Sequence, residues 1–231
     1  MAADRVPTGV GPVDALLGGG LEPDSLTELY GEGGSAKTIL CLQATLEVAR
    51  AGRWVLYIDT EGVSVDRLEA IAGDRFPEVL DHLLLSSPTS LEEQSRAVLR
   101  AAELTRSGER PVGLIVLDSA TLYYRLALAQ DSEEDGRLAL TAEFAELIGV
   151  SLRSQVPVLF TNQVWRDPRS GSLEPIGGSF LNHAAKTILR LERLPGSRRR
   201  AVLVKHRSRP EAAAEFSITD TGTGDGARQR S

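Results

Sequence analysis

An octamer near the start of the chain has residue types and spacing that suit phosphate binding. Residues 31–38 follow the pattern G-x-x-x-x-G-K-[ST] with one change, an alanine in place of the second glycine. In such a loop the backbone N–H groups surround phosphate oxygens, the lysine adds a positive charge and the hydroxyl binds Mg²⁺. We therefore expect a nucleotide to be bound by Gly31, Glu32, Gly33, Gly34, Ser35, Ala36, Lys37 and Thr38.

The alanine at position 36 weakens this prediction and leaves a plain glycine-rich turn as the alternative. If the backbone there needs a positive φ, an L-alanine costs about 1 kcal/mol or more relative to glycine. Nucleotide binding would survive such strain, whereas fast turnover would not. We expect slow hydrolysis at most.

Carboxylates follow two apolar segments, where a phosphate-binding enzyme would need them. Asp118 comes directly after the apolar run 112–117, which is the Walker B form, and would hold Mg²⁺ beside Thr38. Glu61 lies just beyond the apolar run 54–58 and could orient and deprotonate an attacking water. The alternatives are a helix-capping aspartate and a surface glutamate.

Alternating strands and helices must position these groups. Apolar runs predict strands at 26–30, 54–59, 83–85, 112–117 and 156–161, and helical patterns predict helices at 38–51, 91–106 and 138–154. This order indicates an α/β protein with a central, mostly parallel, twisted sheet and helices on both faces. Beyond residue 176, short β-prone segments at 186–193, 201–205 and 215–219 predict a C-terminal antiparallel extension.

Composition limits the classes of protein to which the chain can belong. The 231 residues, 42% hydrophobic and 25% charged, predict one globular domain over 1–220, and residues 221–231 read as a disordered tail. Because Cys41 is the single cysteine, an intramolecular disulfide and a metal site built from cysteines are excluded, and its position inside the predicted helix 38–51 predicts a small buried side chain. Without a membrane-length apolar stretch or a signal sequence, we expect a cytoplasmic protein with no membrane partner.

The net charge of −6 hides a basic segment. Residues 153–210 hold twelve Arg or Lys and three carboxylates, so this segment carries +9 and the rest of the chain −15. Such a stripe is typical of a protein with a polyanionic partner. A solvated face is the alternative, and we prefer it for the run Arg198, Arg199 and Arg200 taken alone.

Six motifs occur in the order found in one family. Together they resemble the ATPase core of RecA-superfamily recombinases, specifically the archaeal RadA type. The chain begins directly at that core and its 162–177 stretch is short, which is most similar to a paralogue of those recombinases. The resemblance covers roughly residues 5–220 and implies a RecA-like P-loop ATPase core. The motifs lie at 8–20, 57–62, 117–120, 161–164, 175–178 and 214–219.

The resemblance implies further roles at the nucleotide. Glu61 matches the family's catalytic glutamate, and Gln163 matches a glutamine that senses the γ-phosphate. Arg67 matches, with a one-residue gap, an arginine that stacks on adenine. Lys205 and Arg207 fall where related ATPases place basic fingers on a neighbouring subunit's γ-phosphate, so hydrolysis would need a homo-oligomer.

The resemblance to recombinases also implies a DNA-binding loop at residues 164–177. Trp165 would stack on bases of single-stranded DNA, and Arg166 and Arg169 would contact its phosphates. The segment matching a first DNA-binding loop, 130–137, carries four carboxylates, which repel a phosphate backbone. The upstream segment that docks recombinase subunits is missing, so we expect neither long filaments nor strand exchange from this chain alone.

The sequence thus predicts a paralogue that binds ATP and Mg²⁺ and hydrolyses ATP weakly, in a DNA-dependent manner. It would bind single-stranded DNA and assist homologous recombination and DNA repair as an accessory to a RadA-type recombinase. Two alternatives stay open. One is a KaiC-type signalling ATPase that acts on protein partners, and the other is an interaction module that keeps nucleotide only as a structural ligand.

Replacing Lys37 with alanine tests the phosphate-loop assignment. Lys37→Ala should abolish ATP binding, because it removes the charge on the phosphates and leaves the fold intact. Titration with a fluorescent ATP analogue measures the change. Unchanged affinity in the variant would contradict the assignment.

Overall fold

A computed structural model describes residues 4–129, 132–167 and 172–225. Within these ranges, eleven strands are β1 (Leu26–Tyr30), β2 (Trp54–Asp59), β3 (Leu83–Ser86), β4 (Val112–Asp118), β5 (Val158–Asn162), β6 (Val164–Arg166), β7 (Leu173–Pro175), β8 (Thr187–Arg193), β9 (Arg198–Lys205), β10 (Ala212–Thr219) and β11 (Gly222–Asp225). The helices there are α1 (Gly11–Leu17), α2 (Lys37–Arg50), α3 (Val65–Ala72), α4 (Phe76–Asp81), α5 (Leu91–Ser107), α6 (Leu122–Ala129), α7 (Glu133–Ser154) and α8 (Gly178–Ala184), with a 3-10 turn at Gly73–Arg75.

Nine of these strands form one sheet. Its order is β11-β10-β9-β8-β1-β5-β4-β2-β3. The six strands from β8 to β3 pair in parallel, which confirms the predicted mostly parallel sheet. The predicted antiparallel extension is formed by β9, β10 and β11, which continue the sheet beyond β8.

Both faces of the sheet are buried, which explains the continuous apolar runs of the central strands. Along β4, Leu114 and Val116 point to one core, whereas Ile115 and Leu117 point to the other. Helices α1 to α4 cover the first face, and α5, α7 and α8 cover the second. The layered α/β arrangement follows from this alternation.

Two differences from the predicted boundaries have physical reasons. Helix α7 begins at Glu133, five residues before the predicted start, because Glu133, Glu134 and Asp135 occupy its first turn and stabilise the positive end of the helix dipole. Residues 222–225, which we expected in a disordered tail, form β11 and pair with β10. The rest of that tail, 226–231, lies outside the described residues.

Short helices account for most elements that the sequence did not predict. Helices α1, α3, α4, α6 and α8 have six to eight residues, about two turns, which is too short for a clear 3.6-residue period. Cys41 is fully buried in α2, as expected, and burial raises the pKa of its thiol. Over the described part of the chain, no helix is long and apolar enough to cross a membrane.

Parallel pairing brings four strand ends to one edge. In the β1–β5 register Tyr30 lies opposite Asn162, and in the β2–β4 register Asp59 lies opposite Asp118. The loop that follows β1 and the residues that follow β2 and β5 therefore meet. Ligands of open α/β sheets bind at this carboxyl edge of the strands.

Candidate functional site

The loop at residues 31–36 connects β1 to α2 and ends in a strained alanine. Ala36 is the N-cap of α2 and has φ +86° and ψ +19°, in the left-handed region. The positive φ on which our expectation depended is therefore present, and strain of about 1 kcal/mol or more follows. Ala36 is also buried, so its methyl group packs against the core.

Lys37 points back across this loop. Its Nζ donates to the Gly31 carbonyl at 2.8 Å and to the Glu32 carbonyl at 3.2 Å. Burial lowers the pKa of Lys37, and the nearby Glu61 and Asp118 carboxylates partly oppose this shift. The ammonium group thus lies between the loop and both predicted carboxylates.

Asp118 is fixed at the end of β4 by three hydroxyl groups. Tyr57 Oη donates to its Oδ2 at 2.9 Å, Thr161 Oγ1 donates to its Oδ1 at 2.5 Å, and the Thr38 side chain also hydrogen-bonds it. Burial raises the pKa of Asp118, and these bonds favour its charged form. The predicted metal ligands Thr38 and Asp118 are therefore in contact, and both offer the hard oxygen atoms that Mg²⁺ takes.

Asp59 positions Glu61, a role that the sequence did not show. Its buried carboxylate accepts hydrogen bonds from the backbone N–H groups of Glu61, Gly62 and Val63. The turn after β2 is therefore rigid just where Glu61 leaves it. The available signal was an aspartate that ends the strand directly before the turn, because Asp side chains commonly accept from backbone N–H groups a few residues later.

The Glu61 side chain is bound by Gln163. Gln163 Nε2 donates to Glu61 Oε1 at 2.5 Å. Gln163 follows β5 directly and stands at the base of the hairpin formed by β6 and β7. A direct contact thus joins the predicted catalytic glutamate to the residue that directly precedes the predicted DNA-binding loop.

A buried polar network supports the base of that hairpin. The Asn162 amide nitrogen donates to the Ile176 carbonyl at 2.7 Å and to Glu28 Oε1 at 2.8 Å, and its oxygen accepts from Thr121 Oγ1. The Ile176 N–H also donates to the Gln163 carbonyl at 3.0 Å. Both ends of the hairpin are therefore tied to β1 through Asn162.

The hairpin presents an aromatic and basic surface. Trp165 is 48% exposed, and Arg166 lies 3.5 Å from the Glu32 carboxylate of the phosphate loop. Arg169, the other predicted phosphate contact, lies outside the described residues. Trp165 borders a cavity of about 570 Å³ between the hairpin, α6, α7 and α8, which is also lined by Tyr124, Arg125, Arg137 and Phe180.

Arg67, the predicted adenine contact, binds the turn between β10 and β11. Its guanidinium donates to the carbonyls of Asp220 at 2.6 Å and Thr219 at 2.7 Å. The C-terminal hairpin therefore reaches the helix α3 that carries this arginine. This contact had no signal in the sequence, because the partners are backbone atoms 152 and 153 residues away.

Lys205 and Arg207 lie at the opposite edge of the sheet from the phosphate loop. Lys205 faces Ile188 near the start of β8, and its Nζ donates to the Asn182 and Ala185 carbonyls. The Arg207 guanidinium pairs with Asp24 and Glu22, which precede β1. Neither side chain can reach Lys37 of the same chain from there.

The run 198–200 is not a uniform solvated face, and that interpretation is wrong for its central residue. Arg199 is buried, and its Nε donates to the Gly34 carbonyl of the phosphate loop at 2.9 Å. Arg198 and Arg200 point the other way and both pair with Glu215. Successive side chains of β9 point to opposite faces of the sheet, so Arg199 faces the loop and its two neighbours face Glu215. Three identical residues in a row give no sign in the sequence of which one is buried.

These features define a RecA-like α/β fold in which the candidate phosphate loop, Asp118 and Glu61 meet at one edge of the sheet. The sequence matches the Rad51 family over residues 3–226. The chain belongs to the Rad51 family, which confirms the resemblance to recombinases.

Known relatives are similar along nearly the whole chain. The DNA repair and recombination protein RadB of Methanoculleus marisnigri is 43% identical over 223 residues, covering 96% of this chain and 98% of the relative. The protein of the same name from Methanococcoides burtonii is 42% identical, with 91% and 93% covered. A crystal structure of the RadB recombinase has a TM-score of 0.82 and 36% identity, covering 96% of this chain and 99% of that chain.

The site fits the ATP and Mg²⁺ that the Rad51 family generally uses. The buried atoms Ser35 Oγ and Gln163 Oε1 have no hydrogen-bond partner among the described residues. Buried polar atoms are normally satisfied, so unpaired ones beside a phosphate loop fit a site that takes a polar ligand. Lys37 would supply the positive charge for the phosphates, and Thr38 and Asp118 would supply oxygen ligands for Mg²⁺.

Glu28 provides a pH-dependent test of the network below the hairpin. Burial raises the pKa of Glu28 to about 7 from its ordinary 4.5, against the opposing effects of the Asn162 hydrogen bond and the Lys205 charge. Between these values the folded state binds a proton that the unfolded state lacks, so stability falls as pH rises from 4.5 to 7.

Glu28→Gln keeps an acceptor for Asn162 and removes the titration. Over the same pH interval, the free energy of unfolding of the wild type should fall by up to about 3 kcal/mol relative to that of the variant. Urea unfolding at a series of pH values measures both. Parallel pH curves for the two proteins would show that Glu28 is not a buried titrating group.

Proposed function

We propose that this protein binds ATP with Mg²⁺, binds single-stranded DNA, and assists DNA recombination and repair in the cytoplasm as an accessory to a main recombinase of its family. The observation that carries this proposal is the hydrogen bond between Gln163 Nε2 and Glu61 Oε1. It links the nucleotide side of the site to the hairpin that faces the aromatic cavity. The names of the relatives, DNA repair and recombination protein RadB, support the biological setting.

On the nucleotide side, each residue has a role that its position allows. Lys37 and the loop N–H groups hold the phosphates, and Thr38 with Asp118 hold Mg²⁺. Bound ATP supplies the phosphoryl group that water attacks. Glu61, held by Asp59, orients that water and accepts its proton, and the Arg67 side chain would stack on the adenine.

Hydrolysis by the isolated chain is expected to be weak. Ala36 strains the loop at φ +86°, and Lys205 and Arg207 lie far from their own phosphate loop. Because they lie at the other edge of the sheet, they could contact the phosphates of a nucleotide bound by a neighbouring subunit. Such a role requires a homo-oligomer or an assembly with the main recombinase, and it requires Arg207 to leave Asp24.

On the DNA side, the cavity beside Trp165 has the two features that single-strand binding uses. Exposed aromatic rings offer stacking surfaces to bases of any sequence, and Arg125 and Arg137 lie where they can contact phosphates. The acidic residues of 133–135 are part of the α7 N-terminus, so they do not occupy the cavity wall that Trp165 forms.

Nucleotide and DNA binding are coupled through Gln163. A γ-phosphate close to Glu61 competes for the Gln163 amide, and Gln163 is adjacent to β6, which carries Trp165 and Arg166. Rearrangement of that amide moves the base of the hairpin, which Asn162 and Ile176 hold. ATP and single-stranded DNA should therefore change each other's affinity by the same factor.

Charge removal on the hairpin tests the DNA site. Arg166→Ala with Arg169→Ala should weaken single-strand binding and flatten its dependence on salt, by about 0.7 in the log–log slope for each lost phosphate contact. Fluorescence anisotropy of a labelled oligonucleotide across a salt series measures the slope.

A matched control removes two arginines elsewhere. Arg96 and Arg100 are exposed on α5 and pair with Glu92 and Glu103, so Arg96→Ala with Arg100→Ala should leave the slope unchanged. If the hairpin variant keeps the wild-type slope, the DNA site lies elsewhere.

ATP turnover distinguishes the two alternative functions. Turnover that is independent of DNA would favour a signalling ATPase, and no turnover under any condition would favour an interaction module.

A further inference from the structure

Arg199 is a buried arginine that touches the phosphate loop from outside. It lies in β9 and is 9% exposed. Its Nε donates to the Gly34 carbonyl at 2.9 Å, and its Nη1 donates to the Arg198 and Gly196 carbonyls at 2.7 and 3.3 Å. The guanidinium is therefore held by backbone oxygens from both the loop and its own strand.

No carboxylate explains why this charge is buried. Over the described ranges Arg199 has no ion-pair partner within 4.0 Å, whereas Arg198 and Arg200 on the same strand pair with Glu215. Burial and the neighbouring Arg193 both lower the pKa of Arg199. A methyl group placed on Gly34 would lie 3.9 Å from the Arg193 guanidinium, so a second positive charge stands beside the same loop residue.

The bond to Gly34 fixes the orientation of one peptide unit. In a trans peptide the C=O and the following N–H point in opposite directions. The Gly34 carbonyl points outward to Arg199, and the Ser35 N–H points to the other side, where it donates to the Glu32 carbonyl at 3.2 Å. This unit lies between Gly34 at φ +73° and Ala36 at φ +86°, two left-handed positions.

We propose that Arg199 is a positioning residue that holds the phosphate loop in its nucleotide-binding shape against the strain at Ala36. The proposal rests on the nucleotide-binding part of the proposed function. It also makes the antiparallel extension part of the nucleotide site, because Arg199 is 165 residues from the loop that it orients. The Arg199 bond holds the Gly34 carbonyl two residues before Ala36, so its loss would let the loop backbone relax away from the strained conformation at Ala36.

Four variants test this role. Arg199→Met removes the donors and keeps an unbranched side chain, Arg199→Lys keeps the charge without the guanidinium Nε, and Ala36→Gly removes the strain. Arg198→Met is the matched control, because it removes the same charge from the same strand without touching the loop. Far-UV circular dichroism and thermal unfolding verify that each variant is folded, and Arg199→Lys replaces Arg199→Met if the latter is not.

Nucleotide affinity is the first measurement. Arg199→Met should weaken binding of a fluorescent ATP analogue about tenfold, as expected for losing one charged hydrogen bond, and Arg198→Met by less than about twofold. In the Ala36→Gly background the loss from Arg199→Met should shrink to less than about threefold. Equal losses in the two backgrounds, or equal losses at positions 198 and 199, would overturn the proposal.

Hydrogen exchange of the nucleotide-free protein is the second measurement. Arg199→Met should raise exchange in peptides covering residues 31–38, while Arg198→Met should not. Unchanged exchange overturns the proposal whether or not the wild type binds nucleotide. Raised exchange together with no nucleotide binding by the wild type would overturn the proposed function and leave the positioning role of Arg199 supported.

Discussion

The parallel register of β1, β5, β4 and β2 is the constraint on which the site depends. It places Tyr30 opposite Asn162 and Asp59 opposite Asp118, so the segments that follow these strands converge. The contacts between the phosphate loop, the two carboxylates and the base of the hairpin depend on this alignment of the strand ends. A shift of one residue in any pairing would turn each side chain to the other face and separate these groups.

Buried polar groups at this edge of the sheet favour one particular arrangement of the strand ends. Asp118 is held by hydroxyls of Tyr57 and Thr161, and Glu28 is held by Asn162, so the desolvation that raises their pKa values is partly offset. Removing one partner would leave a buried carboxyl group without its hydrogen bond, which costs more than replacing both partners with apolar groups of the same shape. These networks therefore fix one arrangement of the strand ends and of the hairpin that they support.

Much of the fold could be predicted from the sequence, because β2 and β4 are apolar runs that end in aspartate and α2 and α5 are long enough to show a helical period. Lys37, Thr38 and Asp118 follow from local patterns. Contacts between distant segments could not be predicted. Arg199 meets Gly34, and Arg67 meets the turn after β10, through backbone carbonyls that have no residue-type signature. Within the segment 130–137, which we expected to form a loop, residues 133–137 are the start of α7, and residues 130 and 131 lie outside the described residues.

The central claim is that nucleotide and single-stranded DNA are linked through the bond between Glu61 and Gln163. Anisotropy of a labelled single-stranded oligonucleotide, titrated with protein at several salt concentrations with and without Mg-ATP, tests it most directly. The account predicts salt-sensitive binding whose affinity changes when Mg-ATP is present. Binding that is identical with and without nucleotide, or absent at low salt, would contradict it.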